Sequence, residues 1–219
     1  MTQALTAMKK TAIPICSIRS KSLLLGLVMS LAGCATSRPE GAVKAYDFGP
    51  APLQASATTR QANLATVVLF DPQVSPMLEG NAVLYRLAYA DAQQLKPYAL
   101  TRWSMPPAQL IGQRLRQQLG VQRAVVAPGE AAAQFNLRLV LEEFSQVFDS
   151  PADSHGLLRL RATLTQRNAG SETLLAQRSF VVQQTAPTPD AVGAVRALTA
   201  ASDQMAAQIE AWLAQWERL

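Results

Sequence analysis

Cys34 is the residue of this 219-residue chain whose chemistry is easiest to name from its surroundings. Its thiol is a nucleophilic sulfur that can form a thioether with a lipid, and the small residues Ala32 and Gly33 before it suit the narrow cleft of a processing peptidase. Basic residues without any acidic residue precede this site, at Lys9, Lys10, Arg19 and Lys21. A basic lead, a short apolar core and a small-residue exit are typical of a secretory signal.

The apolar run before Cys34 is too short to cross a membrane. Leu23–Leu31 contains nine residues, which reach about 14 Å as a helix, against a hydrocarbon core of about 30 Å. The LAGC motif over residues 31–34 resembles the bacterial lipobox, where a peptidase cuts before a cysteine whose thiol has been acylated. We therefore expect a lipoprotein signal peptide over residues 1–33, cleavage between Gly33 and Cys34, and a lipid on Cys34. A plain signal peptide with a chance cysteine is the alternative.

Two residues around this motif bear on where the chain starts and where it goes. Met8 stands directly before Lys9, so that translation from either Met1 or Met8 gives a usable signal. Ala35 follows Cys34, whereas aspartate at that position tends to mean retention in the inner membrane of Gram-negative bacteria. Ala35 therefore favours a cell-envelope protein that is held by its lipid in the periplasmic leaflet of the outer membrane.

The composition of the mature chain argues against a nucleic-acid partner and against a disulfide bond. The full chain has 20 Lys and Arg against 15 Asp and Glu, but four of the bases lie in residues 1–33, so the mature chain is nearly neutral. It has no basic tract interleaved with aromatic residues, and we expect no nucleic-acid partner. Cys16 lies in the leader and lipidation consumes the thiol of Cys34, so no disulfide can form.

The mature chain offers little chemistry beyond Cys34, and we expect neither an enzyme nor a cofactor. His155 is the single histidine, and it shares the turn SPADSHG over residues 150–156 with serine and aspartate. Neighbours on one turn rarely converge as a Ser/His/Asp triad does, and no G-x-S-x-G nucleophile elbow occurs. One histidine and scattered acids do not provide a metal site, and no G-x-x-x-x-G-K-[ST] loop is present to hold phosphates.

The pattern of apolar residues predicts a sheet that follows a proline-containing tether. Residues 34–62 read as a lipidated N-terminus, a tether and one short strand near Ala45, and residues 63–219 read as the folded domain. Strands are predicted at Leu64–Phe70, Asn81–Ala90, Gln94–Leu100 and Val121–Val126. Three longer antiparallel strands follow, with starts near Phe135, Leu158 and Leu174, a bulge at Glu142-Glu143 and a turn at Asn168–Ser171.

Two helices are predicted to cover this sheet. The first opens at Pro106-Pro107 and closes before Gly120. The second follows Pro187–Asp190, runs to about Arg218 and carries a stripe of apolar or small residues from Ala191 to Trp216 with spacings of four and three residues. That stripe fits a helix lying on the sheet or a coiled-coil partner, and the otherwise uncovered sheet favours the first. We expect an α+β fold: a mostly antiparallel, mixed sheet of about five to seven strands with two helices on one face.

The segment Tyr85–Pro107 is dense in aromatic residues, although only 6% of the chain is aromatic. Tyr85, Tyr89, Tyr98 and Trp103 within it have two interpretations. The rings fill the junction between hairpin and helix, where each buries much apolar area, or they form a surface that docks a partner. Packing is the simpler interpretation, and both hold if one ring stays partly exposed.

The order of several short motifs resembles the ABC-type transport auxiliary lipoprotein family, which accompanies MCE-protein lipid transport systems of Gram-negative envelopes. The resemblance extends over nearly all of the mature chain. The matching features are the lipobox Cys34, Asp71-Pro72 with Leu78 downstream, Tyr85-Arg86 with Tyr89, Tyr98, Arg102-Trp103 before Pro106-Pro107, Phe135-Asn136-Leu137 leading to Phe144, Arg178-Ser179-Phe180, and Trp212-Leu213. The family has no catalytic set to transfer to this chain, and its usual glycine-rich segment near the sheet edge is not found here.

The resemblance implies a non-catalytic accessory of an ABC transport system that moves phospholipid between membranes. Its partners would be the membrane, through lipidated Cys34, and a periplasm-spanning MCE-domain protein, with a permease and an ATPase in the same system. A homo-oligomer is also compatible with it. Two alternatives stay open: a structural or assembly lipoprotein of another envelope complex, and a lipid-binding carrier, which needs its own apolar cavity between sheet and helices.

We expect the substitution Cys34→Ser to abolish palmitate labelling and to leave an unprocessed precursor, because a hydroxyl does not replace the thiol that accepts the lipid. Metabolic labelling of cells and the mobility of the chain on a gel measure both effects. Cys16→Ser changes only the leader and is the matched control, which should be labelled like the unaltered chain. Labelling of the Cys34→Ser variant would contradict lipidation at this residue.

Overall fold

The computed structural model describes residues 41–50, 64–168 and 170–216, so the expected signal peptide, Gly33 and Cys34 lie outside the described residues. Within those ranges the chain forms nine strands, three helices and a 3-10 turn at Pro76–Leu78. The strands are β1 Lys44–Tyr46, β2 Val67–Leu69, β3 Gln73–Val74, β4 Ala82–Leu87, β5 Ala92–Trp103, β6 Val125–Val126, β7 Phe135–Phe148, β8 Ser154–Asn168 and β9 Ser171–Thr185. The helices are α1 Ala88–Asp91, α2 Pro107–Gln122 and α3 Ala191–Trp216.

A long antiparallel ribbon of β7, β8 and β9 makes up most of the sheet. β7 pairs with β8 along its whole length, and β8 pairs with β9 in the same way. The expected bulge is present, because the register of β7 on β8 shifts between Leu141 and Glu143. Gly170 in the turn between β8 and β9 has a φ of 87°, which glycine adopts without steric cost. The three long strands of the sequence analysis are therefore confirmed.

Short strands cover the other edge of β7 in succession. β2 pairs in parallel with its start, β3 with its middle and β4 with its end. Beyond them, β4 pairs antiparallel with β5, β5 pairs in parallel with β1, and β6 pairs in parallel with β2. The sheet is mixed and open in the described residues. It has more strands than expected because strands of two or three residues are too short to show an alternation in the sequence.

Helix α3 covers one face of the ribbon with its apolar stripe. The stripe residues that are buried are Val195, Leu198, Ser202, Met205, Ile209 and Trp212. They pack against the core-facing side chains of β7 and β8, such as Leu137, Leu141 and Leu160, which are fully buried. Helix α2 joins the same core through Ile111 and Leu115. The α+β class is confirmed, and the stripe of α3 serves to cover the sheet.

Polar and charged side chains join α2 to α3 at three levels. Arg114 Nε lies 3.4 Å from Asp203 Oδ1, and Gln118 Nε2 donates to the same oxygen at 3.2 Å. Arg123 Nη2 donates to Glu210 Oε1 at 2.6 Å. The side chain of Arg123 is fully buried and that of Arg114 nearly so. Sliding one helix along the other would separate these buried charges from their partners, so the seam fixes the relative position of the two helices.

Some boundaries differ from those expected. β4 ends at Leu87 and the chain then turns into α1, which the continued alternation through Tyr89 concealed. α2 runs through Gly120 to Gln122, where the backbone N–H of Arg123 caps it by donating to the Leu119 carbonyl at 3.1 Å. The strand expected over 121–126 is shorter, at Val125–Val126, because Val121 and Gln122 belong to the last turn of α2. β1 is part of the sheet rather than a feature of the tether.

Strand β8 and helix α3 are in close contact at Gly156. A Cβ at this position would lie 2.9 Å from the backbone carbonyl carbon of Ala197 and 3.0 Å from its Cβ. Both atoms belong to a helix that is held along its length, so neither can move aside cheaply. Glycine at residue 156 therefore sets the distance between the sheet and the helix.

We expect Gly156→Ala to lower the free energy of unfolding by about 2 kcal/mol, because the added methyl overpacks this contact. Gly120→Ala is the matched control, since a Cβ at Gly120 meets nothing within 4 Å and alanine favours the helix interior by up to about 1 kcal/mol. Urea unfolding followed by circular dichroism measures both. Equal stability of the Gly156→Ala variant and the unaltered chain would contradict the close contact.

Candidate partner-docking site

The four aromatic residues of the candidate docking surface lie on three consecutive elements of the fold. Tyr85 lies on β4, Tyr89 on α1, and Tyr98 and Trp103 on β5. β4 and β5 are antiparallel neighbours, and α1 is the connection between them. The four rings therefore belong to one hairpin, but they differ in burial, and so both interpretations of the cluster apply to different members.

Trp103 belongs to the core. It is fully buried, and its ring centroid lies 5.5 Å from that of Phe48 and 5.5 Å from that of Phe144. Phe48 and Phe144 are themselves 6.1 Å apart. These edge and tilted contacts are favourable ring geometries, and the three rings form a closed group inside the sheet. Trp103 is therefore a packing residue with no surface to offer a partner.

Tyr85 and Tyr98 form a half-buried pair. Their ring centroids are 4.6 Å apart, and Tyr85 also contacts the edge of Phe148. The Tyr98 hydroxyl donates to Gln146 Oε1 at 2.6 Å, and Gln146 Nε2 donates to Ser154 Oγ at 2.8 Å. Burial raises the pKa of Tyr98 above its ordinary value, and the nearby Tyr85 and Asp190 raise it further. The phenol is thus a neutral donor in a buried chain of hydrogen bonds.

Tyr89 is the member of the cluster that stands in solvent, with 49% of its surface exposed. Helix α1, which carries it, is held by local hydrogen bonds. Asp91 Oδ1 accepts from the Gln93 backbone N–H at 3.0 Å, and Arg86 Nη1 donates to the carbonyls of Ala92 and Gln93. The connection Ala88–Asp91 is consequently an ordered projection at the end of the hairpin, and Tyr89 lies on its surface.

Arg86 fixes this projection to the sheet. Its guanidinium pairs with the Glu143 carboxylate on β7, with Nη2 3.0 Å from Oε2 and Nε 3.4 Å from Oε1. The two side chains are 23% and 17% exposed, so the pair is largely shielded from water. In the sequence, Glu143 is notable only as part of the expected bulge, and Arg86 only as part of the Tyr85-Arg86 motif. The pairing joins residues 57 positions apart, and no local pattern could have indicated it.

The turn around His155 does not assemble a catalytic triad. His155 Nδ1 lies 2.9 Å from Asp149 Oδ2, while Ser150 Oγ donates to Asp153 Oδ2 at 2.8 Å. Ser154 Oγ accepts from Gln146 on the inner side of the sheet. Each hydroxyl of the turn is therefore directed to a group other than the imidazole. The turn forms a hydrogen-bonded cap between β7 and β8, which suits a structural role.

Three grooves on the surface have volumes of about 460, 500 and 440 Å³. Each is open to solvent, and each is lined in part by charged side chains, among them Arg116, Arg196 and Asp153. The space between α3 and the sheet is filled instead, since Leu198, Met205 and their neighbours have no exposed surface. An acyl chain would have to displace this packed interface to enter it.

Membrane-spanning helices and metal centres are two further features that bear on function. Among the described residues, no helix has the length and apolarity needed to cross a membrane. No group of three or more His, Cys, Asp and Glu side chains within the described ranges could hold a metal ion. Cys34 and Gly33, the expected lipidation and cleavage residues, lie outside the described part of the chain.

Comparison with solved structures finds the same fold in proteins of low identity. Protein XCC0632 from Xanthomonas campestris is 14% identical, with a TM-score of 0.63 over 74% of this chain and 92% of that one. An uncharacterized protein is 18% identical, with a TM-score of 0.56 over 70% of this chain and 94% of that one. No curated protein matches the chain. The family model of the ABC-type transport auxiliary lipoprotein component matches residues 46–210, from the first strand to the last turns of α3. The chain therefore belongs to the family of ABC-type transport auxiliary lipoprotein components.

Proposed function

We propose that this protein is a non-catalytic lipoprotein accessory of an ABC/MCE-type phospholipid transport system. In this proposal lipidated Cys34 holds it in the periplasmic leaflet of the outer membrane, and the folded domain docks a periplasm-spanning MCE-domain protein. The observation that carries the proposal is the family match over residues 46–210, which includes almost the whole folded domain. The family gives an auxiliary role in ABC transport, and the anchor and partner are the steps that we add.

The chain's own residues support an accessory role in two ways. It has no phosphate-binding glycine motif, so another subunit of the transport system must hydrolyse ATP. Its core is filled by side chains that pack between sheet and helices. Such packing is typical of a rigid domain rather than of one that encloses a lipid. A rigid domain with a lipid at one end is suited to hold a partner in place beside a membrane.

The lipid anchor of the proposal is strong because of its size. A diacylglyceryl thioether with an additional N-acyl group buries three acyl chains, and each buried methylene contributes about 0.8 kcal/mol. A single chain gives only reversible binding, whereas two or more hold a protein durably. The mature chain has no other cysteine that could carry such a group.

The projection that carries Tyr89 is the docking surface of this proposal. Tyrosine is enriched in the centres of interfaces because its ring buries a large area while its hydroxyl keeps a polar partner. Tyr89 is half exposed, and Arg86, which pairs with Glu143, also donates to the carbonyls of Ala92 and Gln93 and so supports the projection. Preorganisation of this kind lowers the entropy that a partner must overcome on binding.

Two other functions are weaker for specific reasons. A lipid carrier needs an enclosed apolar cavity, and the grooves of the described residues are open and lined in part by charged side chains. An assembly lipoprotein of another envelope complex needs the same anchor and a docking surface, and differs only in its partner. The captured partner therefore distinguishes this second candidate from the transport role.

A photo-crosslinking amino acid at Tyr89 tests the docking surface in intact cells. We expect it to capture an MCE-domain protein, which mass spectrometry of the crosslinked band would identify. The matched control carries the same group at Leu174, which is 62% exposed on β9, and we expect little capture from it. Capture of a different envelope protein would favour the assembly role, and capture only from position 174 would show that the docking surface lies elsewhere.

A pair of alanine variants separates packing from docking. Trp103→Ala should lower the free energy of unfolding by about 3–5 kcal/mol, because it empties a closed aromatic core. Tyr89→Ala should change it by no more than about 0.5 kcal/mol but should reduce recovery of the partner in a pull-down. Thermal unfolding and the pull-down measure the two effects. Unaltered recovery with Tyr89→Ala would remove this residue from the docking surface.

A further inference from the structure

The segment Lys44–Gly49, which we name the strap, leads from the expected lipid site into the folded domain. Its first half is strand β1, which pairs in parallel with the end of β5 through Lys44, Ala45 and Tyr46. The Ser104 backbone N–H donates to the Tyr46 carbonyl at 2.7 Å and continues this pairing. These hydrogen bonds attach the first half of the strap to the edge of the sheet at β5.

The second half of the strap is inserted into the core. Phe48 is 8% exposed and lies against Trp103 and Phe144. Gly49 follows with a φ of 65°, which glycine adopts without steric cost, and its backbone N–H donates to Asp47 Oδ1 at 2.8 Å. Pulling the strap away would expose an aromatic ring and open the closed aromatic group.

A buried arginine clamps the strap at the same place. Arg114 Nη2 donates to the Phe48 carbonyl at 2.6 Å and to the Gly49 carbonyl at 3.1 Å. The guanidinium carbon lies 5.9 Å from the centroid of the Phe48 ring, and the side chain is only 3% exposed. A cation shielded to this degree is costly unless it is paired and hydrogen-bonded; the two strap carbonyls accept from Nη2, and Asp203 lies beside Nε. Releasing the strap would leave the cation with Asp203 alone, at 3.4 Å.

We propose that Arg114 and the strap fix the folded domain to a short leash, so that the domain cannot move far from the membrane. The proposal rests on the lipid anchor of the proposed function. From Cys34 to Lys44 the chain has ten residues, which reach at most about 36 Å when fully extended. Residues 50–63 add nothing to this reach, because the strap holds the chain before they begin. In this proposal the periplasm-spanning partner must therefore extend as far as the folded domain, which stays close to the outer membrane.

Trypsin cleavage tests the clamp on the complete mature protein in detergent. The bond after Lys44 lies in β1, so we expect it to resist trypsin while the strap is held. Arg114→Gln should increase cleavage after Lys44 by about tenfold or more, since the two carbonyl contacts are lost. Arg116→Gln is the matched control on the same helix, because Arg116 pairs with the 86% exposed Asp71, and it should leave cleavage unchanged.

A second variant guards against a failure of Arg114→Gln to fold. Asp47→Ala removes only the hydrogen bond that shapes the Gly49 turn, and it should increase cleavage after Lys44 to a smaller extent. Circular dichroism establishes that each variant is folded before the digestion is interpreted. Rapid cleavage after Lys44 in the unaltered protein, or resistance in a folded Arg114→Gln variant, would overturn the clamp.

The leash is measured by energy transfer in vesicles. A donor on Ser104→Cys, an exposed position beside the strap, reports its distance to acceptors on the lipid headgroups of vesicles that hold the lipidated protein. Twelve Gly/Ser residues inserted after Ser37 should reduce transfer, because such a linker has a mean reach of about 20 Å. The same insertion after Thr58 is the matched control and should leave transfer unchanged.

The outcomes separate the leash from the anchor. Equal loss of transfer with both insertions would show that the strap does not hold the chain, and would overturn the leash while the anchor stands. Failure of the mature protein to associate with vesicles would overturn the anchor and the leash together. In that second case the trypsin result still shows whether Arg114 clamps the strap.

Discussion

The packing of α3 on the β7–β8–β9 ribbon is the contact on which the rest of the fold depends. A ribbon of three long strands has an apolar face that must be removed from water, and α3 presents a buried stripe along most of its 26 residues to that face. Gly156 allows the backbones to approach, and the seam of Arg114, Asp203, Arg123 and Glu210 places α2 beside α3. The hydrophobic contact provides most of the stabilisation, and the polar seam determines how the two helices align.

The long elements could be predicted from the sequence because their side chains repeat with a clear period. The stripe of α3 and the alternation of Leu137, Leu139 and Leu141 in β7 each extend over several turns or residue pairs. Strands β3 and β6 have only two residues each, which is too few to establish any period. Their pairing depends on the neighbouring strands of the folded sheet, so tertiary contacts rather than local preference decide it.

The candidate site could be predicted only in part, for a related reason. Aromatic density located the hairpin correctly, but density does not tell a buried ring from an exposed one. Trp103 is in the core because Phe48 reaches it from a segment that reads as tether, and Tyr89 is exposed because the chain leaves the strand at Leu87. The contacts of the two arginines could not be predicted from local patterns. Arg86 pairs with Glu143, 57 positions away, and Arg114 donates to the Phe48 carbonyl, 66 positions away.

Buried Arg114 explains how the N-terminal segment of the described domain can form part of the core. A strap of six residues has few apolar side chains, and Phe48 alone would leave its backbone carbonyls turned toward a low-dielectric interior. Arg114 resolves that conflict, because its guanidinium donates to the two successive carbonyls of Phe48 and Gly49. Lysine would lack this division of contacts, since all of its donors are on one ammonium nitrogen, whereas Arg114 contacts the strap through Nη2 and Asp203 through Nε. The Arg114 side chain thus joins the strap, α2 and α3, so the N-terminal segment is fixed relative to both helices.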